Sequence, residues 1–309
     1  MTEPAPPPAI ECDHVSRWYG NIVAVNDISF SLSAGITGLL GPNGAGKSTM
    51  LHMLAGFLQP SAGAVRVLGQ PAWGNPEMYR QVGLVPEREA VYPFLTGYEF
   101  VLDSARLHHL PDPEDASLRA IRMVELEDAM GRATGGYSKG MKQRIKIAAA
   151  LVHEPTVLLL DEPFNGADPR QRLHLMSLLR DMAAAGKTIV FSSHILEEVE
   201  RLAEEVLVIV SGRLAASGDF REIRRLMTDR PHTFTVRASD NRRLAASLVA
   251  DPSVYGVEMQ GSELQVRTSE FAAFTMAVAG VARRSGVTIF EMRPTDESLE
   301  SVFSYLVKR

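Results

Sequence analysis

The sequence has few of the features that mark secreted or membrane-spanning proteins. Cys12 is the only cysteine, so no internal disulfide can form, which suits a reducing cytosol. The longest apolar run, near Phe271 to Ala282, is ended by Arg283 and Arg284. It is about half of the ~20 residues that a helix needs to span a bilayer. We therefore expect no part of this chain to cross a membrane by itself.

The chain has fewer positively than negatively charged residues. The 32 lysine and arginine residues are outnumbered by 37 aspartate and glutamate residues, which gives a formal net charge of -5. This balance argues against a protein that binds nucleic acid over a broad basic surface. We expect no nucleic-acid partner.

The length of the chain predicts more than one folded unit. At 309 residues it exceeds the usual size of a single hydrophobic core, so two domains are expected. Residues 1–9 are rich in proline and lack a basic-then-apolar pattern, which predicts a disordered leader. A main domain is predicted over residues 10–228. A smaller α+β accessory domain is predicted over 229–309, closing with a helix over 296–307.

Strand and helix patterns alternate through the main domain. Strands are predicted over residues 36–40, 64–68, 82–85, 157–160, 188–192 and 206–210, and helices over 48–55, 97–109, 139–152 and 170–185. In the alternating stretch before them, the candidate inward positions are Val23, Val25, Ile28, Phe30 and Leu32. The unbroken apolar run from Val157 to Leu160 is typical of a strand buried in a parallel sheet. The pattern predicts an α/β fold with a mainly parallel core sheet.

A glycine-rich stretch lies between a predicted strand and a predicted helix. Gly41-Pro42-Asn43-Gly44-Ala45-Gly46-Lys47-Ser48-Thr49 fits the P-loop pattern Gly-x-x-x-x-Gly-Lys-Ser/Thr. Its N–H groups and the helix dipole favour phosphate; Lys47 is predicted to reach the β- and γ-phosphates and Ser48 to ligate Mg²⁺. The other predicted nucleotide contacts are Asn43, Gly44, Gly46 and Thr49. A turn that merely connects the two elements is the alternative, and the defining residues argue against it.

Two adjacent carboxylates end the apolar strand that begins at Val157. Asp161 is placed to hold Mg²⁺ through its water shell. Glu162 is placed to act as general base on the water that attacks the γ-phosphate. A solvated turn would also explain the pair, but a P-loop needs an acidic strand end of this kind.

With these motifs in this order, residues 10–228 resemble the nucleotide-binding subunit of an ABC transporter. Tyr137-Ser138-Lys139-Gly140-Met141 stands where that family has its Leu-Ser-Gly-Gly-Gln signature. The resemblance implies a P-loop NTPase of ABC type, with a helical subdomain that carries the signature. It also implies that Ser138 and Gly140 complete the ATP site of an opposite subunit in a dimer. N–H groups at a helix start form a suitable cradle for that γ-phosphate.

The same resemblance assigns three further residues. Tyr19 corresponds to the aromatic residue that stacks on adenine, and Asp168 lies in the loop that links the two sites. His194 corresponds to the histidine that holds the γ-phosphate. The residues alone leave another interpretation open, in which Tyr19 packs with Trp18 in a core.

The chain departs from the family pattern at two places. Glu87, in Gly83-Leu84-Val85-Pro86-Glu87, stands where the family has a glutamine; it can still ligate Mg²⁺ but adds negative charge near the phosphates. The signature has Tyr137, Lys139 and Met141 in place of Leu, Gly and Gln. Together these features resemble the bacterial drug, antibiotic and sodium exporters whose permease is a separate chain. The segment 294–303 resembles the C-terminal extension of that branch.

The resemblance implies an ATPase that uses ATP and Mg²⁺, with Glu162, His194 and Lys47 carrying hydrolysis. It dimerises on ATP, with a homodimer the simplest case, and drives a transmembrane permease, for export. The chain is expected at the cytoplasmic face of the cell membrane, which it contacts only through the permease. The substrate is chosen by the permease.

Two other functions are considered. A soluble ABC-type ATPase that acts on nucleic acid or the ribosome is disfavoured, because the sequence has one P-loop and no heptad run between residues 41 and 138. A nucleotide-dependent regulator with weak turnover is suggested by Glu87 and the altered signature.

Overall fold

The computed structural model describes residues 7–88, 90–219, 232–268 and 270–294. The chain divides into two compact units between Ser217 and Gly218. The predicted domain boundary at residues 228 and 229, and the predicted helix over 296–307, lie outside the described residues. In the described part of the chain, no helix has both the length and the hydropathy to span a bilayer.

The first unit alternates strands and helices as predicted. Its strands are β1 Ile10–Tyr19, β2 Ile22–Leu32, β3 Gly35–Leu40, β4 Ala62–Val67, β5 Gln70–Pro71, β6 Val82–Val85, β7 Val157–Asp161, β8 Thr188–Ser193, β9 Glu205–Val210 and β10 Arg213–Gly218. Its α-helices are α1 Lys47–Leu54, α2 Gly97–Leu107, α3 Pro113–Met123, α4 Lys139–Leu151, α5 Pro169–Ala184 and α6 Leu196–Leu202. The predicted bounds given above are met within two residues.

A six-stranded sheet forms the core, in the order β10-β9-β3-β8-β7-β6. Strands β3, β6, β7, β8 and β9 pair in parallel, and every residue of β7 is buried. The predicted mainly parallel α/β fold is confirmed. Because parallel strands end at the same edge of a sheet, the residues that follow β3, β6, β7 and β8 meet there.

That shared edge is visible in the register of the sheet. Leu40, the last residue of β3, lies opposite Ser193. Asp161, the last residue of β7, lies opposite Ser192, and Val85 of β6 lies opposite Leu160. The P-loop, the acidic pair, the Glu87 loop and His194 are thereby brought to one place.

The second sheet, in the order β2-β1-β4-β5, is antiparallel and carries β-bulges. Among the predicted inward positions, Val25, Ile28 and Leu32 are buried and Phe30 is half-buried. The prediction for Val23 is wrong, because its side chain is 54% exposed. Val23 pairs with the exposed Trp18, beyond a register shift at Arg17, and such a shift changes which face a side chain occupies.

The second unit is a βαββαβ arrangement built around an antiparallel sheet. Its elements are β11 His232–Ala238, α7 Asn241–Leu248, β12 Val254–Gln260, β13 Glu263–Thr268, α8 Phe271–Ser285 and β14 Ile289–Pro294. The strand order is β12-β13-β11-β14, which is the ferredoxin-like order. Its core includes Phe234, Val236, Leu264 and Val266 from the sheet and Leu244, Leu248, Phe274, Val278 and Val281 from the helices.

Candidate nucleotide site

An open cleft of about 340 Å³ lies at the shared edge of the core sheet. The P-loop contributes Asn43, Gly44, Gly46, Lys47, Ser48 and Thr49, and the surrounding segments contribute Ala24, Glu87, Asp161, Glu162 and His194. Residues that are far apart in sequence, and that were predicted to act on one phosphate chain, therefore line one cleft.

The loop holds its conformation through glycine. Gly46 has φ 107° and directly precedes α1, and a Cβ there would lie 2.4 Å from the carbonyl oxygen of Ala24. Both the positive φ and the close carbonyl oxygen mean that a larger residue would have to move the backbone. Lys47 is buried, and its Nζ donates to the carbonyl oxygens of Gly41 at 2.8 Å and Pro42 at 3.3 Å. The loop thus encloses an ammonium group at the point where a helix begins.

Ser192, which no sequence motif indicated, holds the acidic pair Asp161 and Glu162 in place. Its Oγ donates to Asp161 Oδ1 at 2.5 Å and accepts from the backbone N–H of Glu162 at 3.0 Å. All three residues are buried. The only signal in the sequence was the parallel sheet itself, since strands β7 and β8 end side by side and place the serine opposite Asp161.

Glu162 and His194 form a pair at the mouth of the cleft. Glu162 Oε2 lies 2.9 Å from His194 Nδ1, and Glu162 has the left-handed φ of 51°. Its side chain is almost completely buried, whereas that of His194 is 50% exposed. Burial raises the pKa of Glu162, while the hydrogen bond to His194 and the charges of His194 and Lys47 act to lower this pKa. A buried, oriented carboxylate of this kind is suited to accept a proton from water.

The oxygen donors in the cleft fit Mg²⁺. Ser48, Glu87 and Asp161 all line it, and a hydroxyl and carboxylates are ligands that this ion accepts. Within the described ranges, no three side chains of His, Cys, Asp or Glu are grouped as a metal site. Mg²⁺ in nucleotide sites usually has one or two carboxylate ligands, with water and phosphate oxygens as the others.

The signature residues do not line this cleft. Ser138 caps α4 by accepting from the backbone N–H of Met141 at 3.2 Å, and its side chain is exposed. Gly140 is buried against a different loop, where a Cβ would lie 2.6 Å from the carbonyl oxygen of Gly166. Asp168 caps α5 through a capping box with Gln171. The signature segment and the 165–168 loop therefore pack against each other through Gly140 and Gly166.

Comparison with known proteins agrees with this arrangement. Residues 25–165 match the family described as ABC transporter. The chain is 35% identical, over 91% of its length and 82% of the relative's, to an uncharacterized ABC transporter ATP-binding protein, all4389, of Nostoc sp.. The chain belongs to the ABC transporter family. Members of this kind are ATPases, so the chain is an ATP-binding subunit that hydrolyses ATP.

Two relatives of this ABC ATPase have names that refer to export or resistance. The linearmycin resistance ATP-binding protein LnrL of Bacillus subtilis is 31% identical over 97% of this chain and 98% of its own length. The Nod factor export ATP-binding protein I of Burkholderia orbicola is 40% identical over 68% of this chain and 70% of its own length. These names are consistent with the exporter branch.

A solved structure shares the fold of the first unit. It is entitled "Structure of ATP binding subunit of ABC transporter" and has a TM-score of 0.65 with 32% sequence identity. The match covers 70% of this chain and 92% of that chain.

Tyr19 of this ABC ATPase lies outside the residues that line the cleft. Its ring is 46% exposed, and the guanidinium of Arg17 lies 4.7 Å from the ring centroid. Trp18 is 44% exposed, so the two rings do not pack in a core. An exposed aromatic ring remains free to stack on a base, and this role of Tyr19 stays a prediction.

Proposed function

We propose that the chain is the ATPase subunit of an exporter and works as a dimer that closes on two ATP molecules. One observation carries the dimer. The cleft holds the P-loop, Glu162 and His194, whereas Ser138 caps a helix at the surface, outside that cleft. A phosphate bound by Lys47 in one subunit would meet the exposed helix start at Ser138 of a second copy. Identical subunits related by a two-fold axis would build two such sites.

The residues of the cleft divide the work of hydrolysis. Lys47 and the N–H groups at the start of α1 bind the β- and γ-phosphates. Glu162 accepts a proton from the attacking water, and His194 keeps that carboxylate oriented and partners the γ-phosphate. Since phosphoryl transfer depends mainly on positioning and charge stabilisation, groups fixed by the sheet edge suit this reaction.

Ser48, Asp161 and Glu87 would hold Mg²⁺ with the nucleotide. When bound, the ion would supply positive charge that offsets part of the negative charge of the phosphates. Asp161 is the best fixed of the three, because it is buried and accepts a hydrogen bond from Ser192. Glu87 is exposed on the loop after β6, and its position depends on what holds that loop.

An apolar groove supports contact with a permease. It measures about 340 Å³, and Phe57, Tyr79, Phe100 and Leu107 are among its lining residues. Phe57 and Leu107 are exposed, and exposed apolar surface of this kind marks interaction sites. Pro86 lines the groove while its neighbour Glu87 lines the nucleotide cleft. A permease segment in the groove would therefore sense the loop that reaches the nucleotide, and would keep the subunit at the cytoplasmic face of the membrane.

Glu162→Gln tests the proposed chemistry. Glutamine keeps the shape of the side chain but cannot accept the proton, so we expect ATP hydrolysis to fall by about 10²–10⁴-fold while ATP still binds. The variant should then accumulate as an ATP-bound dimer in size-exclusion chromatography with light scattering. Glu154→Gln, at an exposed position away from the cleft, is the matched control. Hydrolysis by Glu162→Gln at the wild-type rate would remove Glu162 from its role.

Purification in mild detergent tests the partner. We expect a transmembrane permease to copurify with the chain and to release when Phe57 and Leu107 are both changed to aspartate. Copurification with ribosomes or DNA in its place would favour the soluble ATPase. Tight ATP binding without turnover, in the chain and in its permease complex, would favour a regulator.

A further inference from the structure

Lys146 is a charged residue that α4 buries beside apolar ones. It lies in α4 between Ile145 and Ile147, and all three are buried. Lys146 is 5% exposed. Its Nζ donates to the carbonyl oxygens of Pro86 at 2.7 Å and Arg88 at 2.8 Å, and lies 3.5 Å from that of Glu87. One ammonium thus contacts three consecutive backbone carbonyls of the loop that carries Glu87.

This contact depends on a side chain that carries a positive charge and several N–H donors. Burying an ammonium is unfavourable unless its N–H groups are hydrogen-bonded, and the carbonyls of residues 86–88 supply acceptors for them. Carbonyls 86–88 follow the end of β6. An apolar residue at position 146 would leave these carbonyls without the ammonium.

Lys146 connects three parts of the molecule that the proposed function uses: the nucleotide cleft, the apolar groove and the start of α4. The loop it holds presents Glu87 to the nucleotide cleft. Lys146 and Pro86 both line the apolar groove. The helix that bears it begins at the Ser138 cap, about 12 Å away at 1.5 Å per residue.

We propose that Lys146 is a positioning residue that fastens the Glu87 loop to α4. Glu87 then faces the phosphates and their cation, and the loop follows any movement of the helix whose start carries the signature. The inference rests on the proposed function only through the role of Glu87. The fastening itself is a property of the chain without nucleotide or permease.

Hydrogen–deuterium exchange of the purified chain tests the fastening directly. Lys146→Met keeps the apolar stem and removes the ammonium, and we expect backbone amides around residues 86–88 to exchange about tenfold faster. Lys187→Met is the matched control, since Lys187 Nζ donates to a single carbonyl, that of Glu154, at 3.0 Å. It should leave the 86–88 segment unchanged. Unchanged exchange there in Lys146→Met would overturn the proposal.

A double-mutant cycle tests the consequence for the site. In Lys146→Met we expect the Mg²⁺ concentration for half-maximal ATP hydrolysis to rise roughly 10-fold or more, as for other residues that support a metal ligand. In a Glu87→Ala background the same change should have little further effect, because both act through one group. Lys146→Arg should recover part of the loss, since guanidinium also donates to carbonyls. Equal effects in both backgrounds would overturn the link to Glu87.

Failure of the proposed function and failure of the positioning role of Lys146 give different results. Glu162→Gln is run in the same assay and reports whether the cleft is the site of hydrolysis. If it abolishes turnover while Lys146→Met leaves both loop exchange and Mg²⁺ dependence unchanged, the proposed function stands and the positioning role is wrong. If Glu162→Gln hydrolyses ATP normally while Lys146→Met loosens the loop, the fastening stands and the site assignment is wrong.

Discussion

At the scale of single residues, the chemistry depends on how one carboxylate is held. Glu162 combines a buried side chain, a left-handed backbone and a hydrogen bond to His194. Burial disfavours the ionised carboxylate of Glu162, whereas the hydrogen bond to His194 and the charges of His194 and Lys47 favour it. The balance of these effects sets the pH range in which Glu162 can act as a base.

The pH dependence of hydrolysis checks this balance. Because the pKa of Glu162 is raised by burial, hydrolysis should fall as the pH drops through that raised pKa, when the base becomes protonated. His194→Ala removes a hydrogen bond that lowers the pKa, so the pKa rises further and the acidic limb of the rate profile moves to higher pH. We also expect a loss of about a hundredfold at neutral pH.

A comparison at two pH values separates the two roles of His194. If His194 orients and tunes Glu162, raising the pH should recover part of the activity lost in His194→Ala. A profile of wild-type shape at a uniformly lower rate would mean that His194 acts only on the phosphate. The measurement is steady-state ATP hydrolysis across the pH range in which the wild-type chain stays folded.

At the scale of elements, the strand pattern predicted the P-loop and the Asp161–Glu162 pair, because both lie at the ends of predicted parallel strands. Glu87 and His194 were assigned by the family resemblance. The register of β6 against β7 then explains why the Glu87 loop and Asp161 lie at the same edge. Ser192 was missed because its partner is defined by register across strands. Lys146 was missed because its three carbonyl contacts are about 60 residues distant in the chain.

The close contact between the backbones of Gly140 and Gly166 could not be predicted from the sequence either. Gly140 was predicted to cradle a phosphate, whereas the structure shows why it must be glycine within its own subunit. The carbonyl oxygen of Gly166 occupies the space that a Cβ would need. Gly140 therefore holds the start of α4 against the loop that leads to Asp168.

Gly140→Ala tests this contact. The added methyl group would push α4 and the 165–168 loop apart, and we expect a loss of about 1–3 kcal/mol in the free energy of unfolding together with a large loss of ATP hydrolysis. Gly136→Ala is the control, because the nearest atom to its Cβ is the Arg132 side chain at 3.9 Å. Denaturant unfolding measures the first effect. Equal stability of the two variants would contradict the packing argument.

At the scale of the whole molecule, the chain holds two surfaces that we propose are the two halves of one site, and these surfaces do not meet. The P-loop cleft carries Lys47 and Glu162, and the surface at the start of α4 carries Ser138. Gly140 and Lys146 hold α4 at two points, so moving Ser138 to the cleft of the same chain would require α4 to move. The proposed association of two copies would bring the two halves together without such a change.

Mixing two inactive variants decides whether the halves act across subunits. Lys47→Met removes the phosphate-binding ammonium, and Ser138→Arg blocks the helix start, so neither variant alone should hydrolyse ATP appreciably. In a mixed dimer, one site combines the intact Lys47 of one subunit with the intact Ser138 of the other. With random pairing, half of the dimers carry one working site of two, so about a quarter of the wild-type rate should return.

A control must show that the recovered ATP hydrolysis comes from sites built by two subunits and not from residual activity of either variant. A mixture of Lys47→Met with the doubly changed Lys47→Met/Ser138→Arg chain has the same protein concentration but no intact site in any dimer, and it should stay inactive. The measurement is ATP hydrolysis at fixed total protein as the ratio of the two variants is varied, with a maximum expected at equal amounts. A rate that never exceeds the sum of the separate variants would mean that Lys47 and Ser138 serve the nucleotide within one chain.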